Sequence, residues 1–315
     1  MRVVATDDFS AAPGLRSAQT FASTMAGHMG APVRRSFMRR TDDQQRTPLE
    51  DLMTSARQVA GGRGGRTRLA LLLSLWWVSA RPDEGGAHTS QRTTTWWTDL
   101  LGLPDPRHGA RIINANLKEL TTRRFITTSP GDPGRPKTVT LLDEHGTGQL
   151  YRRPDGTDGD YFRIPEQLWT TGLIGRLSGP ALVMYLAMLY HHRRVPTDKP
   201  GQFTTRPVWF TARSFHALHG LSEDTRLAGI RDLHQLGVLT IDTVSIDPSG
   251  QPGGGGIRRQ RRHLTLLPAY QPPLPDTKPH PGSTPETPPA PVSVTPTPEF
   301  SQVVDALKRR RPSQR

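Results

Sequence analysis

Two helical patterns, 212–218 and 222–236, stand a short turn apart, and a glycine, Gly220 and then Gly237, follows each of them. Ser222 is placed to cap the second pattern, whose Thr225, Ile230, Leu233 and Leu236 fall on one buried face. Glycine past a helix end stops it, so the chain must turn at Gly220 and leave again at Gly237 as the strand Val238-Leu239-Thr240-Ile241. A glycine-rich excursion over 250–256 runs into Arg258-Arg259-Gln260-Arg261-Arg262 and a last strand over 263–267. Upstream, 177–192 reads as a helix with Ser178 as N-cap and Pro180 in its first turn, and 207–211 as a β-like run.

Helix, short strand, helix, turn, helix, strand, basic loop, strand is the order of a winged helix. The stretch Leu221-Ser222, Thr225-Arg226, Ile230, Leu233, Gly237-Val238-Leu239 resembles the recognition-helix region of bacterial winged-helix regulators. That resemblance covers about a hundred residues. A weaker copy of the same order lies at 66–142. Helical patterns at 67–80, 92–101 and 108–122 are followed by strand runs at 125–128 and 138–141, around a loop of turn residues, Ser129-Pro130-Gly131-Asp132-Pro133-Gly134-Arg135-Pro136. The expected fold is therefore α+β, with two winged helix-turn-helix domains in tandem. They occupy 61–142 and 161–270, joined by a polar, acidic linker at 143–160. Residues 1–60 show no sustained apolar period and are expected to be a disordered arm, with a glycine hinge at 61–65. The Pro- and Thr-rich stretch 271–315 is expected to be a disordered tail with a short basic helix.

Charge points to the partner. The 315 residues carry a net +13, and each expected domain contributes +6 of it, so the positive charge belongs to the folded segments more than to the tails. The absence of cysteine excludes disulfides, thiolate nucleophiles and Cys-ligated zinc. The most apolar run, 69–78, is about half the roughly 20 residues that span a bilayer, and residues 1–20 have no signal-peptide core; a cytoplasmic protein without membrane partners is expected. No nucleophile–base motif and no P-loop lysine accompany the glycine run 253–256, so neither catalysis nor a cofactor is expected. His216 and His219 stand at helical spacing beside His191-His192, but without a carboxylate or thiolate they read as structural rather than metal-binding. The pairs Trp76-Trp77 and Trp96-Trp97 read as core packing rather than base stacking.

A helix fits the major groove, where Arg, Asn and Gln bond base edges, while flanking basic loops meet phosphate. In the second domain Arg226 and Arg231, with Ser222 and Thr225, are the recognition-helix candidates, and Arg258, Arg259, Arg261 and Arg262 the wing candidates. Arg226 has the alternative of pairing with Glu223 or Asp224, both awkward near phosphate. In the first domain the candidates are Arg107, Arg111, Asn114 and Lys118 on the helix and Arg135 and Lys137 on the wing. Tandem, non-identical winged helices in one basic chain look like plasmid or mobile-element replication initiators, and also like transcription regulators of the same fold. The resemblance implies double-stranded DNA as partner, with sequence-specific binding. A winged-helix adaptor for a protein partner, docking through the Pro-rich tail, is the competing class.

Overall fold

The computed structural model describes residues 13–25, 30–40, 46–54, 64–131, 135–155, 160–199, 202–246 and 259–272. It is mixed α+β, with four small antiparallel sheets. Helix α1 (Pro13–Thr24), strand β1 (Ala31–Arg34), a 3₁₀ turn (Arg35–Phe37) and helix α2 (Pro48–Met53) come first. Here the expectation of an unstructured arm is corrected: Ala18, Phe21, Ala31, Val33, Phe37, Met38, Leu49 and Leu52 are all buried in the core. Thr47 and Glu50 form a reciprocal capping box with Pro48 in the first turn, which starts α2 at that point.

Two sets of elements with one order follow. The first is α3 (Gly64–Val78), β2 (Thr89–Ser90), α4 (Thr94–Leu100), α5 (Pro106–Thr122), β3 (Ile126–Ser129) and β4 (Thr138–Leu141), with strand order β2-β4-β3. Strand β5 (Tyr161–Ile164) and the short helices α6 (Gln167–Thr170) and α7 (Leu173–Arg176) lead to the second set. That set is α8 (Gly179–His191), a hairpin β6 (Arg194–Pro196) and β7 (Phe203–Thr205), α9 (Ala212–His219), α10 (Glu223–Gln235), β8 (Leu239–Ile246) and β9 (Arg259–Leu266). The β-like run 207–211 is reduced to one bridge, Val208 to Leu264, which again puts the last strand between the other two. Gly220 and Gly237, at φ 70° and 67°, end α9 and α10 in the left-handed conformation that glycine adopts without a steric penalty.

Helices α3 and α8 are buried all round and pack on each other, so the two sets share one core within one compact unit. Trp77 stacks on Trp169 at 4.7 Å and 6°, and the Trp169 indole donates to Ser74 at 2.9 Å, bearing out the core reading of the 76–77 pair. The glycine hinge does not separate flexible parts where it is described: Gly64 and Gly65 open α3, and a Cβ on Gly65 would stand 2.8 Å from the Met53 carbonyl. Residues 61–63 lie outside the described residues.

The polar linker expected at 143–160 is also corrected over 143–155. Glu144 is 1% exposed and receives Arg34 Nη1 at 2.7 and 2.8 Å, while Arg34 Nη2 donates to the Arg152 carbonyl at 2.9 Å. His145 bridges Asp143 (2.9 Å) and Ser36 (2.7 Å), and β1 pairs with β5 from Ala31↔Ile164 to Arg34↔Tyr161. Of the acidic residues there, Glu144 is buried against Arg34, Asp143 is bonded to His145, and Asp155 is exposed. Residues 1–12, 156–159 and 273–315, including the expected basic helix, lie outside the described residues.

Gly229 lets α10 lie close on α8, since a Cβ there would meet the Pro180 carbonyl at 2.4 Å and Met184 Cβ at 2.6 Å. Gly229→Ala is expected to cost about 1–3 kcal/mol by overpacking. A thermal melt within one degree of the parent would contradict that crossing.

Candidate nucleic-acid interface

Helix α5 carries the clearest basic stripe. Asp105 caps it by accepting from the Arg107 N–H at 2.9 Å, and Pro106 presets its first turn. Gly109, Ile113, Asn116, Leu117 and Leu120 are buried against the core. Arg107, Arg111, Asn114 and Lys118, spaced four, three and four residues apart, therefore share the solvent face, and all four are exposed. At 1.5 Å per residue the stripe is about 16 Å long. Among the described residues Arg107, Arg111 and Lys118 make no ion pair, whereas the neighbouring Glu119 is engaged by Arg123 at 3.4 Å and Arg68 at 3.9 Å. The one carboxylate on this helix is thereby neutralised away from the stripe. Arg135 and Lys137 are exposed between β3 and β4; residues 132–134 of that loop lie outside the described residues.

The second set is different. Ser222 accepts from the Thr225 N–H at 3.2 Å and its hydroxyl meets that of Thr225 at 3.0 Å, so both start α10. Arg226 does not project: its side chain is 12% exposed, donating to Glu223 at 3.1 Å, and its Nε is buried without a partner. The expectation that Arg226 faces outward is corrected, because the carboxylate one turn earlier holds the guanidinium along the helix. Arg231 is 68% exposed beside Asp232. Glu223, Asp224 and Leu227 share the exposed side of the helix, and a groove of about 630 Å³ between α10 and the β8–β9 hairpin is lined by Asp224, Leu227, Arg231, His234, Ile241 and Arg262.

No family model, curated protein or solved structure matches this chain.

The arginines expected in a loop after the glycine run belong in part to strand β9. The ladder continues to Ile246↔Arg259, so Arg261 and Arg262 are within the sheet and Arg259 forms its last described rung. Arg262 is exposed opposite Thr243, and Arg261 lies 3.6 Å from the centre of the Trp209 ring, held by the ring's negative face. Arg258 and the side chain of Arg259 lie outside the described residues.

The histidines are core groups. His219 is buried and its Nδ1–H donates to the Met38 carbonyl at 2.8 Å, leaving Nε2 to accept from His191 Nε2–H at 3.0 Å. Burial holds both in the neutral form: His191 falls to about 3, with His219, Arg35 and Arg193 adding to the effect of burial, and His219 to about 4, against the opposing bond to Met38. His216 turns to the Leu221 carbonyl at 3.3 Å. Among the described residues no three His, Asp or Glu side chains are grouped to hold a metal, and no helix is long and apolar enough to cross a membrane.

A basic hairpin that the sequence reading passed over, β6–β7, exposes Arg193, Lys199, Phe203 and Arg206. A Pro-Gly dipeptide, Pro200-Gly201, between the runs Val195-Pro196-Thr197 and Phe203-Thr204-Thr205 was its signal in the sequence; those two residues lie outside the described ones.

Proposed function

We propose that this protein binds double-stranded DNA through two winged helix-turn-helix units, and that α5 is the helix that enters the major groove. What supports the fold reading is the recurrence of the order helix, helix, helix, strand, strand, with the last strand paired to the one before it and also to an extended residue ahead of the second helix: β2 in the first set, the Val208 bridge in the second. The single observation that carries the function is the α5 stripe, three unpaired cations and an amide on one helix face. A groove about 12 Å wide admits such a helix, Arg111 and Asn114 offer bidentate contacts to guanine and adenine, and Arg107, Lys118, Arg135 and Lys137 reach phosphate.

The second unit has a different share in this reading. Its α10 presents Glu223, Asp224 and Leu227, so its contribution to DNA comes from Arg231 and Arg262 and not from a basic helix face. Because the two units share a core, their helices are held at a fixed separation, which suits gripping one repeat of set length, as a replication initiator does. A transcription regulator of the same fold would use the same surface. Neither role asks for a catalytic group.

The test is a mobility-shift titration over a salt series, after selection of bound sequences from a random pool. Arg111→Ala is expected to weaken the selected duplex by about 5- to 100-fold and relax the preference at one base pair. Lys118→Ala is expected to weaken all duplexes alike and reduce the salt slope by about 0.9. Duplex affinity unmoved by both substitutions would sink the assignment of α5.

A further inference from the structure

The β6–β7 hairpin is half-buried only at Arg194 and Thr205 among its described residues. Val195, Pro196, Thr197, Gln202, Phe203 and Thr204 are all exposed, so both faces of this two-stranded ribbon meet solvent, and a ribbon of that kind is marginal on its own. It is nonetheless pinned at both ends. At the base Arg194 donates to the Pro272 carbonyl, Thr205 donates to Gln271 at 3.0 Å, and the Arg206 N–H donates to the Arg193 carbonyl at 2.9 Å. Near the tip the Thr197 N–H donates to the Gln202 carbonyl at 2.9 Å and the Gln202 N–H to the Lys199 carbonyl at 3.1 Å.

What it presents is specific. Phe203, opposite Pro196 on one face, is 55% exposed, and no other Phe, Tyr or Trp among the described residues is classed with it as exposed. Arg193 and Arg206, opposite each other at the base on the other face of the ribbon, and Lys199 near its tip are exposed and make no ion pair among the described residues; Asp198 is the single carboxylate of the segment. A phenyl ring has no donor or acceptor with which to read a base edge in a duplex. It has a face on which a base stacks, and cations beside that face hold the phosphates of the same strand.

Resting on the DNA-binding reading above, we infer that the β6–β7 hairpin is a second nucleic-acid contact, which takes unpaired DNA by stacking a base on Phe203 while Lys199 toward the tip and Arg193 and Arg206 at the base hold phosphates of the same strand as it passes around the ribbon's edge. The preferred substrate is then a duplex that is locally open, and the two contacts divide the work: α5 on the paired flank, the hairpin on the open strand.

The full chain is titrated with two labelled duplexes of one flanking sequence, one fully paired and one holding a short mismatched bubble. The unaltered protein is expected to prefer the bubble. Phe203→Ala is expected to remove that preference, a loss of about 10- to 100-fold on the bubble alone, and Phe203→Trp to keep it. The side chain is exposed, so neither change threatens the fold. Equal binding of both duplexes by the unaltered protein, an equal loss on both with Phe203→Ala, or a shift in oligomeric state with both affinities unchanged would each overturn the inference. The paired duplex with Arg111→Ala reports separately on α5, so the two readings fail independently.

Discussion

Glu144→Ala is expected to destabilise the fold by about 3–5 kcal/mol, because it removes the carboxylate that receives the buried Arg34 guanidinium. Nη1 of Arg34 is shared by both carboxylate oxygens, and Nη2 is tied further to the Arg152 carbonyl. Removing both charges should hurt less than removing one, since a buried pair is repaid only partly for its lost hydration. Arg34→Met with Glu144→Leu is thus expected to recover at least half of the loss. Urea denaturation at pH 7 measures both; a single variant that loses under 1 kcal/mol would mean the pair is solvated in solution.

The second large effect is with acid. His191 and His219 ordinarily titrate near 6.5 in an unfolded chain, but burial takes them to about 3 and about 4 in the fold. The unfolded state therefore binds more protons below pH 6.5. Their contribution is fully present above that pH and is lost as pH falls toward the folded values. The steepest loss is about 1.4 kcal/mol per pH unit for each histidine, reached only well below 6.5, so roughly 3 kcal/mol for the two between pH 6.5 and 5; His192, lowered to about 4 by burial and by Arg194, adds to it. The two share a hydrogen bond and titrate as a pair. His191→Phe, which keeps the aromatic contacts to Tyr190 and Phe210 but removes one proton site, is expected to lower the slope set by the three histidines by about a third. Urea midpoints at pH 7, 6 and 5 give the slope directly, and a flat profile would contradict neutral burial.

Much of the second set was legible because its punctuation is local. Ser178, Pro180, Ser222, Gly220 and Gly237 mark helix ends through bonds and dihedrals within a few residues, and α8 and α10 begin and end within two residues of the expected bounds. The same holds for α5, with Asp105 and Pro106 just ahead of the expected start. The segment before residue 54 was missed for a different reason. β1 is four residues whose partner is 130 positions away, so no periodicity announces it, and α1 buries mainly Ala18 and Phe21. The Thr47-Pro48-Leu49-Glu50 capping box was a readable signal for α2. Arg226 illustrates a limit of the site reading. Position on a helix face was sound, but a neighbouring carboxylate decides where a long side chain goes, and sequence offers both outcomes.

The β1–β5 pairing also sets a clock for the nascent chain. Synthesis at about 5–20 residues per second puts roughly 6–26 s between the emergence of residues 31–34 and that of their partners at 161–164. During that interval Val33, Phe37 and Met38 have no finished core to enter, and Arg34 must wait some 110 residues for Glu144. An early-made segment that is obliged to wait for late-made strands is where a chaperone would hold this chain.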